Sequence, residues 1–181
     1  EPADLRYRFR RADGQQRWIH CHAERVHALH DERRLLTGVV QDVTEQVEAG
    51  RRIERLAYHD LLTGLPNRAL FGERLAEALT NDLRGDTLVA VLYADLDEFK
   101  DINDTLGHAI GDRVLQVVAH RLMTVLDDTD TVARYGGDEF IILLPRLATL
   151  DDASQVAAQI CATLRDPIRI EHQTLHLTAT I

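Results

Sequence analysis

Cysteine and long apolar runs are both scarce in this chain of 181 residues, whose only two cysteines are Cys21 and Cys161. Two distant cysteines cannot build a disulfide framework, so their scarcity favours a reducing compartment and predicts a cytoplasmic domain. No apolar run approaches the roughly 20 residues that span a membrane, and no signal peptide is visible. The chain begins at Glu1 without Met. We therefore expect it to be part of a longer protein, in which a membrane anchor elsewhere is not excluded.

Positive charge is in deficit, because 21 Lys and Arg residues stand against 30 Asp and Glu residues and give a net charge of -9. This balance argues against nucleic acid as a partner, since a phosphate backbone is bound by clustered basic side chains. An acidic protein still binds an anionic nucleotide where local donors and bound cations hold the phosphates. The length suits one domain, or one domain plus a fragment, and is sufficient to bury a core.

The stretch at residues 134–140 reads RYGGDEF and lies between two runs of strand-type residues. Two such runs joined by Gly136 and Gly137 predict a tight hairpin, because both central residues of a primed turn favour positive φ. Asp138 and Glu139 would then begin the returning strand, where a buried core does not accept carboxylates. This pair is either a solvated tip or part of a metal site.

A second acidic cluster follows the apolar run TLVAVLYA at residues 87–94, which predicts a strand buried on both faces. The run ends in Asp95, Leu96 and Asp97. A carboxylate at the end of a central strand, next to a hairpin that carries another, is how palm-type nucleotidyl transferases hold two divalent ions. The alternative is two unrelated acidic turns, and spacing alone does not decide between these interpretations.

Four motifs in one order resemble the GGDEF family of diguanylate cyclases. They are DLLTGLPNR at 60–68, DLDEFKDIND at 95–104, GHAIGD at 107–112 and RYGGDEF at 134–140, and the resemblance covers residues 60–181. It implies an α/β (α+β) fold with a palm-like, nucleotidyl-cyclase-like mixed sheet and flanking helices. It also implies an activity, the condensation of two GTP molecules into cyclic di-GMP with release of two pyrophosphates.

The resemblance implies roles for the residues at matching positions. Asp95 and Asp138, with the backbone carbonyl of Leu96, would hold two Mg²⁺ (or Mn²⁺) ions in each active site, because hard cations prefer oxygen ligands. Glu139 would lie near the metal and help to deprotonate the attacking 3′-hydroxyl. The expected substrate-binding residues are Asn103, Asp112, Lys100, Gly136 and Gly137.

Asn103 and Asp112 match the family's guanine-reading positions. A carboxylate accepts hydrogen bonds from N1–H and the amino group of guanine, and an amide pairs with the remaining edge. Adenine has no such double donor, which would explain a preference for GTP over ATP. From the residues alone, Asp112 is also suited to be the N-cap of a helix that follows Gly111. Lys100 matches a phosphate-contacting position of the family, and the alternative is an ordinary exposed lysine.

Two features depart from the family's pattern. An inhibitory product site, Arg-x-x-Asp, would fall on residues 127–130, where Asp130 is present but Asp127 replaces the arginine. A carboxylate cannot supply the guanidinium fork that grips phosphate and guanine, so we expect a degenerate site without feedback inhibition. The family also continues beyond Ile181 with basic phosphate contacts. A C-terminally truncated domain at residues 61–181 is therefore expected to bind GTP weakly.

Outside the motifs, the apolar periodicity predicts helices at residues 112–126 and 151–164 and strands at 168–171 and 174–181. A further helix is predicted after Asn67, which can cap it. One sheet with helices on its faces is the economical packing of these elements.

Residues 1–43 predict three strands and resemble the C-terminal half of a PAS sensor domain. Residues 44–60 predict a helix with a weak apolar seam, typical of a signalling coiled coil that pairs two chains. The alternative is a linker helix packed on its own chain. His20 and His22 share a strand face and could ligate a metal, but no further ligands are spaced to help, which favours an ordinary sheet surface.

Each domain would bind one GTP, and a single site cannot make both bonds. Catalysis therefore implies a homodimer, formed through the PAS strands and the linker helix. The leading hypothesis is a sensor-coupled diguanylate cyclase. The alternative is a GTP-binding regulatory module that controls a downstream cyclic di-GMP phosphodiesterase domain. The intact carboxylates of the motif favour catalysis, because a pure regulator could lose them.

Overall fold

The computed structural model describes residues 3–27, 34–81 and 87–181. The chain divides into two compact units, Glu1–Glu54 and Arg55–Ile181, each described by itself. The sequence also predicts a turn at residues 30–34 and a loop at 81–86, and nearly all of both segments lies outside the described residues. No helix in the described ranges has the length and apolar character needed to cross a membrane.

The first unit is a three-stranded antiparallel sheet, in the order β1-β2-β3, which confirms the predicted strands. Its strands are β1 (Ala3–Arg10), β2 (Gln16–His27) and β3 (Arg34–Asp42). The turn between β1 and β2 places Gly14 at a φ of 84°, and Asp13 accepts a hydrogen bond from the Gln15 amide. One face of this sheet carries exposed apolar side chains, namely Leu5, Tyr7, Phe9, Leu36 and Val40.

Helix α1 (Thr44–Tyr58) follows β3 directly and matches the predicted linker helix. Two hydrogen bonds hold its first residue, Thr44. The Thr44 amide donates to Asp42 at 3.0 Å, and the Thr44 hydroxyl accepts from the Trp18 amide at 2.8 Å. Two apolar side chains of the predicted seam, Ile53 and Leu56, are exposed.

The larger sheet of the second unit has the strand order β5-β6-β4-β9, and every neighbouring pair is antiparallel. A separate hairpin pairs β7 with β8. The elements are α2 (Arg68–Asn81), β4 (Leu88–Leu96), α3 (Phe99–Leu106), α4 (His108–Val125), β5 (Thr131–Gly136), β6 (Glu139–Leu147), α5 (Leu150–Leu164), β7 (Ile168–Ile170), β8 (Gln173–Leu175) and β9 (Ala179–Thr180).

The core confirms a mixed α/β fold with helices on both faces of the larger sheet. Apolar side chains of β4 and β6 pack with those of α4 and α5 in the main cluster, which includes Ala94, Leu96, Phe140, Ile142, Val114, Val118, Leu122 and Ile160. A smaller cluster joins α2 to the other face, through Phe71, Ala78, Ala133, Ile141 and Leu143.

Two predictions about the strands are wrong. The apolar run of β4 is buried on one face only, because α2 covers the sheet over β5 and β6, and Val91 and Tyr93 each remain 44% exposed. The single strand predicted at residues 174–181 is two strands, since β8 pairs with β7 whereas β9 pairs with β4. The predicted single sheet is therefore two sheets.

The start of α4 also differs from the prediction. Helix α4 begins at His108 rather than at residue 112, because Gly107 adopts a φ of 85° and serves both as the C-cap of α3 and as the N-cap of α4. Gly111 is buried inside the helix. Asp112 therefore lies in the second turn of α4, and the interpretation of this residue as an N-cap is wrong. The cap at Asn67 is confirmed, since its side chain accepts from the amides of Ala69 and Leu70.

Candidate active site

The hairpin between β5 and β6 has a two-residue turn made of Gly137 and Asp138, and Gly136 pairs with Glu139 across it. This turn lies one residue later than the predicted turn at Gly136 and Gly137. Of the two glycines, only Gly137 has a positive φ, of 37°. Asp138 consequently lies in the turn itself, and Glu139 is the first residue of the returning strand.

Arg134 braces this turn from the preceding strand. Its guanidinium donates from Nε and Nη2 to the Gly137 carbonyl, at 2.9 and 2.7 Å, and from Nη1 to both oxygens of Asp60, at 3.1 and 3.2 Å. The Asp60 carboxylate also accepts from the amide and the hydroxyl of Thr63. Burial acts to raise the pKa of Asp60, but the hydrogen bonds from Thr63 and Arg134 outweigh it and hold that pKa below its usual value.

Three of the predicted site carboxylates meet at one end of the larger sheet. Asp95, near the end of β4, is the direct cross-strand partner of Glu139 on β6. Asp138 adjoins Glu139 in the turn. Burial, and next the negative charges of Asp138, Glu139 and Asp97, raise the pKa of Asp95. Like charges on directly opposite strand positions repel, so this cluster is held together by the fold around it.

Asp97 belongs to a different arrangement. Its carboxylate accepts hydrogen bonds from the hydroxyls of Thr178, at 2.6 Å, and Thr180, at 2.8 Å, and these bonds lower its pKa. Asp97 therefore fastens the segment around β9 to the end of β4. Leu96, whose backbone carbonyl is the proposed ligand, has its side chain buried in the core.

The chemistry of the cluster fits a hard divalent cation. Asp95, Asp138 and Glu139 supply only carboxylate oxygens, and no ion pair within the described part of the chain neutralises any of them. No group of three or more His, Cys, Asp or Glu side chains in that part gathers closely enough to enclose an ion. Mg²⁺ usually keeps several waters and is bound through one or two carboxylates plus substrate phosphates, so a full protein cage is not needed.

The predicted guanine-reading residues lie on α3 and α4. Asn103 contacts the turn of α4 that contains Gly111, and a Cβ at Gly111 would collide with the Asn103 side chain and lie 3.2 Å from the Phe99 ring. A side chain at position 111 would therefore displace Asn103. Phe99 is buried in the core, whereas Lys100 is exposed in the first turn of α3.

The loop expected to carry a degenerate product site is closed by its own residues. The Asp127 amide donates to the Asp130 carboxylate, and the Asp130 amide donates to the Asp127 carbonyl, both at 3.0 Å. Burial raises the pKa of Asp130 more than the hydrogen bond from Asp127 lowers it.

The two histidines considered as metal ligands, His20 and His22, have separate carboxylate neighbours. His20 Nε2 lies 2.5 Å from an oxygen of Asp4, and His22 Nε2 lies 3.7 Å from Glu24. These pairs do not form a shared set of metal ligands.

Sequence reasoning missed three residues beside the site: Asp60, Arg134 and Tyr93. Tyr93 is the diagonal neighbour of Glu139 in the register of β4 and β6, and the Glu139 carboxylate is the main cause that raises the pKa of Tyr93 to about 12. Asp60 and Arg134 lie in recognised motifs, but their contact spans 74 residues and has no local signal. Tyr93 lies in the apolar run at residues 87–94, which the sequence predicted to be a strand buried on both faces.

A carboxylate-bearing hairpin beside the end of the neighbouring strand, on a sheet covered by helices, defines the class of palm-like nucleotidyl transferase domains. Within that class, the model of the diguanylate cyclase GGDEF domain matches residues 57–181. The chain belongs to the GGDEF family.

Relatives and solved structures agree with this family. The chain is 48% identical over 126 residues to the diguanylate cyclase TpbB of Pseudomonas aeruginosa UCBPP-PA14, a match that covers 69% of this chain and 29% of TpbB. It is 39% identical over 138 residues to the bifunctional diguanylate cyclase/cyclic di-GMP phosphodiesterase MucR of P. aeruginosa PAO1, covering 76% of this chain and 20% of MucR. The chain thus spans less than a third of the length of these relatives.

The fold is similar to that of a solved GGDEF domain. The structure of an N-terminally deleted TpbB from P. aeruginosa PAO1, comprising only the GGDEF domain, superposes with a TM-score of 0.66 at 47% identity. The match covers 68% of this chain and 72% of that one.

Proposed function

We propose that this chain is the catalytic domain of a diguanylate cyclase, which joins two GTP molecules into cyclic di-GMP and releases two pyrophosphates. The observation that carries the proposal is the cross-strand pairing of Asp95 with Glu139, with Asp138 in the adjoining turn. Similarity to TpbB supports the same reaction. The test is product analysis of the full-length protein with GTP and Mg²⁺, where cyclic di-GMP and pyrophosphate should form in a one-to-two ratio.

In this reaction each ribose 3′-hydroxyl attacks the α-phosphate of the other GTP. Asp95, Asp138 and the Leu96 carbonyl would hold two Mg²⁺ or Mn²⁺ ions, which when bound orient the phosphates and stabilise negative charge. Glu139 would accept the proton of the attacking hydroxyl as a general base. Arg134 would keep the turn in place by holding the Gly137 carbonyl.

Substrate selection would rest on the residues of α3 and α4. Asn103 and Asp112 would read the guanine edge, and Lys100 would contact a phosphate. Gly136 and Gly137 would let the backbone approach the phosphates closely, because they carry no side chain.

Replacing Gly111 with Ala is expected to raise the KM for GTP by about 5-fold. The new methyl group displaces the Asn103 side chain, and one hydrogen bond lost at the guanine edge is worth about 1 kcal/mol. Steady-state kinetics with GTP and ATP measure the effect. Gly72→Ala in α2 is the matched control, because a Cβ there meets no atom within 4 Å. An unchanged KM in Gly111→Ala would contradict the guanine-reading role of Asn103.

Catalysis at two facing sites would need two copies of the domain. We propose that they associate through the N-terminal strands and α1, with the three-stranded sheet acting as part of a PAS sensor. The exposed Ile53 and Leu56 side chains of α1 support this pairing, because they lie one turn apart on one helix face.

A second candidate function is a GTP-binding regulatory module in front of a phosphodiesterase domain. The similarity to the bifunctional protein MucR supports it. GTP binding without formation of cyclic di-GMP would favour this alternative over the cyclase.

Cyclic di-GMP is not expected to inhibit the enzyme through residues 127–130. Asp127 offers no guanidinium, and the Asp130 carboxylate already accepts the Asp127 amide. Addition of product up to about 100 µM, roughly 100-fold above a micromolar dissociation constant, should leave the initial rate unchanged. Product inhibition that disappears in Asp130→Ala would contradict this expectation.

A further inference from the structure

A groove of about 820 Å³ opens between the start of α2 and the hairpin that carries the proposed catalytic carboxylates. Arg68 lines this groove from α2, and Tyr135, Gly136 and Gly137 line it from the hairpin. Its volume is within the range of sites that bind small molecules. Polar and charged groups contribute much of its lining, which favours a polar ligand over an apolar one.

The groove adjoins the Glu139 carboxylate on the α2 side of the larger sheet. A Cβ built on Gly136 would lie 3.5 Å from Oε2 of Glu139, so the glycine wall of the groove contacts this side chain. Glu139 and Ile141 are two residues apart on β6 and share a face, and Ile141 packs in the same cluster as Phe71 of α2. A ligand in the groove would therefore lie beside the proposed catalytic carboxylates.

The Arg68 side chain is held at this groove by an aromatic contact. Its guanidinium lies 4.8 Å from the centroid of the Tyr135 ring, in a cation–π contact. The Tyr135 ring in turn meets the Tyr93 ring edge to face, with centroids 6.2 Å apart. Arg68 precedes Phe71 by three residues, so the two side chains share the face of α2 that packs towards the sheet.

The positive charge of Arg68 is not neutralised within the described part of the chain. No carboxylate there lies within ion-pair distance of Arg68, and no hydrogen bond there engages its side chain. The other arginine of the groove, Arg134, already binds Asp60 and the Gly137 carbonyl. A guanidinium with free N–H donors is suited to a phosphate group, which accepts two parallel hydrogen bonds from it.

We propose that Arg68 is a further substrate-binding residue of the cyclase, and that its guanidinium binds a phosphate group of GTP in this groove. The inference rests on the proposed function. The phosphate belongs either to the GTP of the same domain or to the GTP of the facing copy, and both offer the same chemistry. In each case Arg68 offsets the negative charge that a triphosphate brings next to a cluster of carboxylates.

The test compares the binding of 3′-deoxy-GTP, with Mg²⁺, to wild type and Arg68→Gln in the full-length protein. This analogue keeps the triphosphate and lacks the attacking hydroxyl, so it is not consumed. We expect Kd to rise by about 10-fold in Arg68→Gln, the lower end of the effect of one hydrogen bond to a charged group. Arg68→Lys keeps the positive charge and should recover part of the loss.

Two controls separate a phosphate contact from a general disturbance of the site. Arg165→Gln, at an exposed arginine that follows α5, makes the same chemical change and should bind 3′-deoxy-GTP as wild type does. Guanosine has no phosphate, so its affinity, measured by competition with 3′-deoxy-GTP, should be the same in Arg68→Gln and wild type.

Protein concentration distinguishes the two sources of the phosphate. If Arg68 binds the GTP of its own domain, the rise in Kd appears at every protein concentration. If Arg68 binds the GTP of the facing copy, the rise appears only where two copies associate, and the dilute variant binds as wild type does. Both results support the role of Arg68.

A wild-type Kd for 3′-deoxy-GTP in Arg68→Gln at every protein concentration would overturn the inference and leave the cyclase function standing. An equal loss of affinity for guanosine would also overturn it, because Arg68 would then act by supporting the site in general. A wild-type protein that binds GTP and forms no cyclic di-GMP would contradict the proposed function, whereas a weaker binding of 3′-deoxy-GTP to Arg68→Gln would still support the phosphate contact.

Discussion

Asp138→Asn is expected to lower the rate of cyclic di-GMP formation by about a thousandfold, the equivalent of roughly 4 kcal/mol of transition-state stabilisation. The substitution removes a charged oxygen ligand from the proposed metal site and keeps the size of the side chain. Asp138 lies in the turn between β5 and β6, outside the core, so the free energy of unfolding should change by less than about 0.5 kcal/mol. Product analysis and urea unfolding of the same variant measure both quantities.

The matched control is Asp128→Asn, an exposed carboxylate in the loop before β5. It carries the same chemical change and should retain the wild-type rate. Turnover near the wild-type rate in Asp138→Asn would exclude this residue as a metal ligand and would leave the acidic hairpin as a solvated tip. A large loss of stability in Asp138→Asn would instead make the loss of activity uninformative about the metal, which is why unfolding is measured alongside it.

Arg134→Leu is expected to destabilise the second unit by about 2–3 kcal/mol. The Arg134 and Asp60 side chains are only 15% and 25% exposed. Removing one partner of a largely buried pair leaves the other charge uncompensated, and the Gly137 carbonyl also loses two hydrogen bonds. Because that carbonyl belongs to the turn with Asp138, the rate of cyclic di-GMP formation should fall as well. Urea unfolding and product analysis check the two effects.

Arg146→Leu, at an exposed position of β6, is the control for loss of an arginine and should change the unfolding free energy little. The pH dependence provides a second check. The pKa of Asp60 is lowered in the folded state, so its stabilisation is fully present above the unfolded value of about 3.9 and is lost as the pH falls through the folded pKa. The stability difference between wild type and Asp60→Asn should therefore shrink below about pH 4. A difference that stays constant there would mean that the Asp60 charge does not stabilise the fold.

Recognition of the family required only local sequence. The motif RYGGDEF and the DLD segment after an apolar run are sufficient to propose Asp95, Asp138 and Glu139 as one site. The helices α1, α2 and α5 were also predictable, because apolar periodicity and capping residues such as Asn67 act within one or two turns.

Apolar periodicity and capping residues did not predict the exact start of α4 or the position of the hairpin turn. Gly107 and Gly111 both disfavour helices by propensity, yet α4 continues through Gly111, whose missing side chain leaves room for Asn103. The turn at Gly137 and Asp138 follows from the pairing of Gly136 with Glu139, and strand register is not encoded in either strand alone.

The sequence by itself determined the family, the order of the elements and the identity of the proposed catalytic carboxylates, because these depend on residue types at fixed spacings along the chain. The tertiary structure decided which carboxylates face each other, which face of β4 stays open and which residues brace the site. The contact of Arg134 with Asp60 joins residues 74 positions apart, and the pairing of Asp95 with Glu139 joins residues 44 positions apart. Such contacts arise from the packing of whole strands and helices, and no short stretch of sequence carries enough information to specify them.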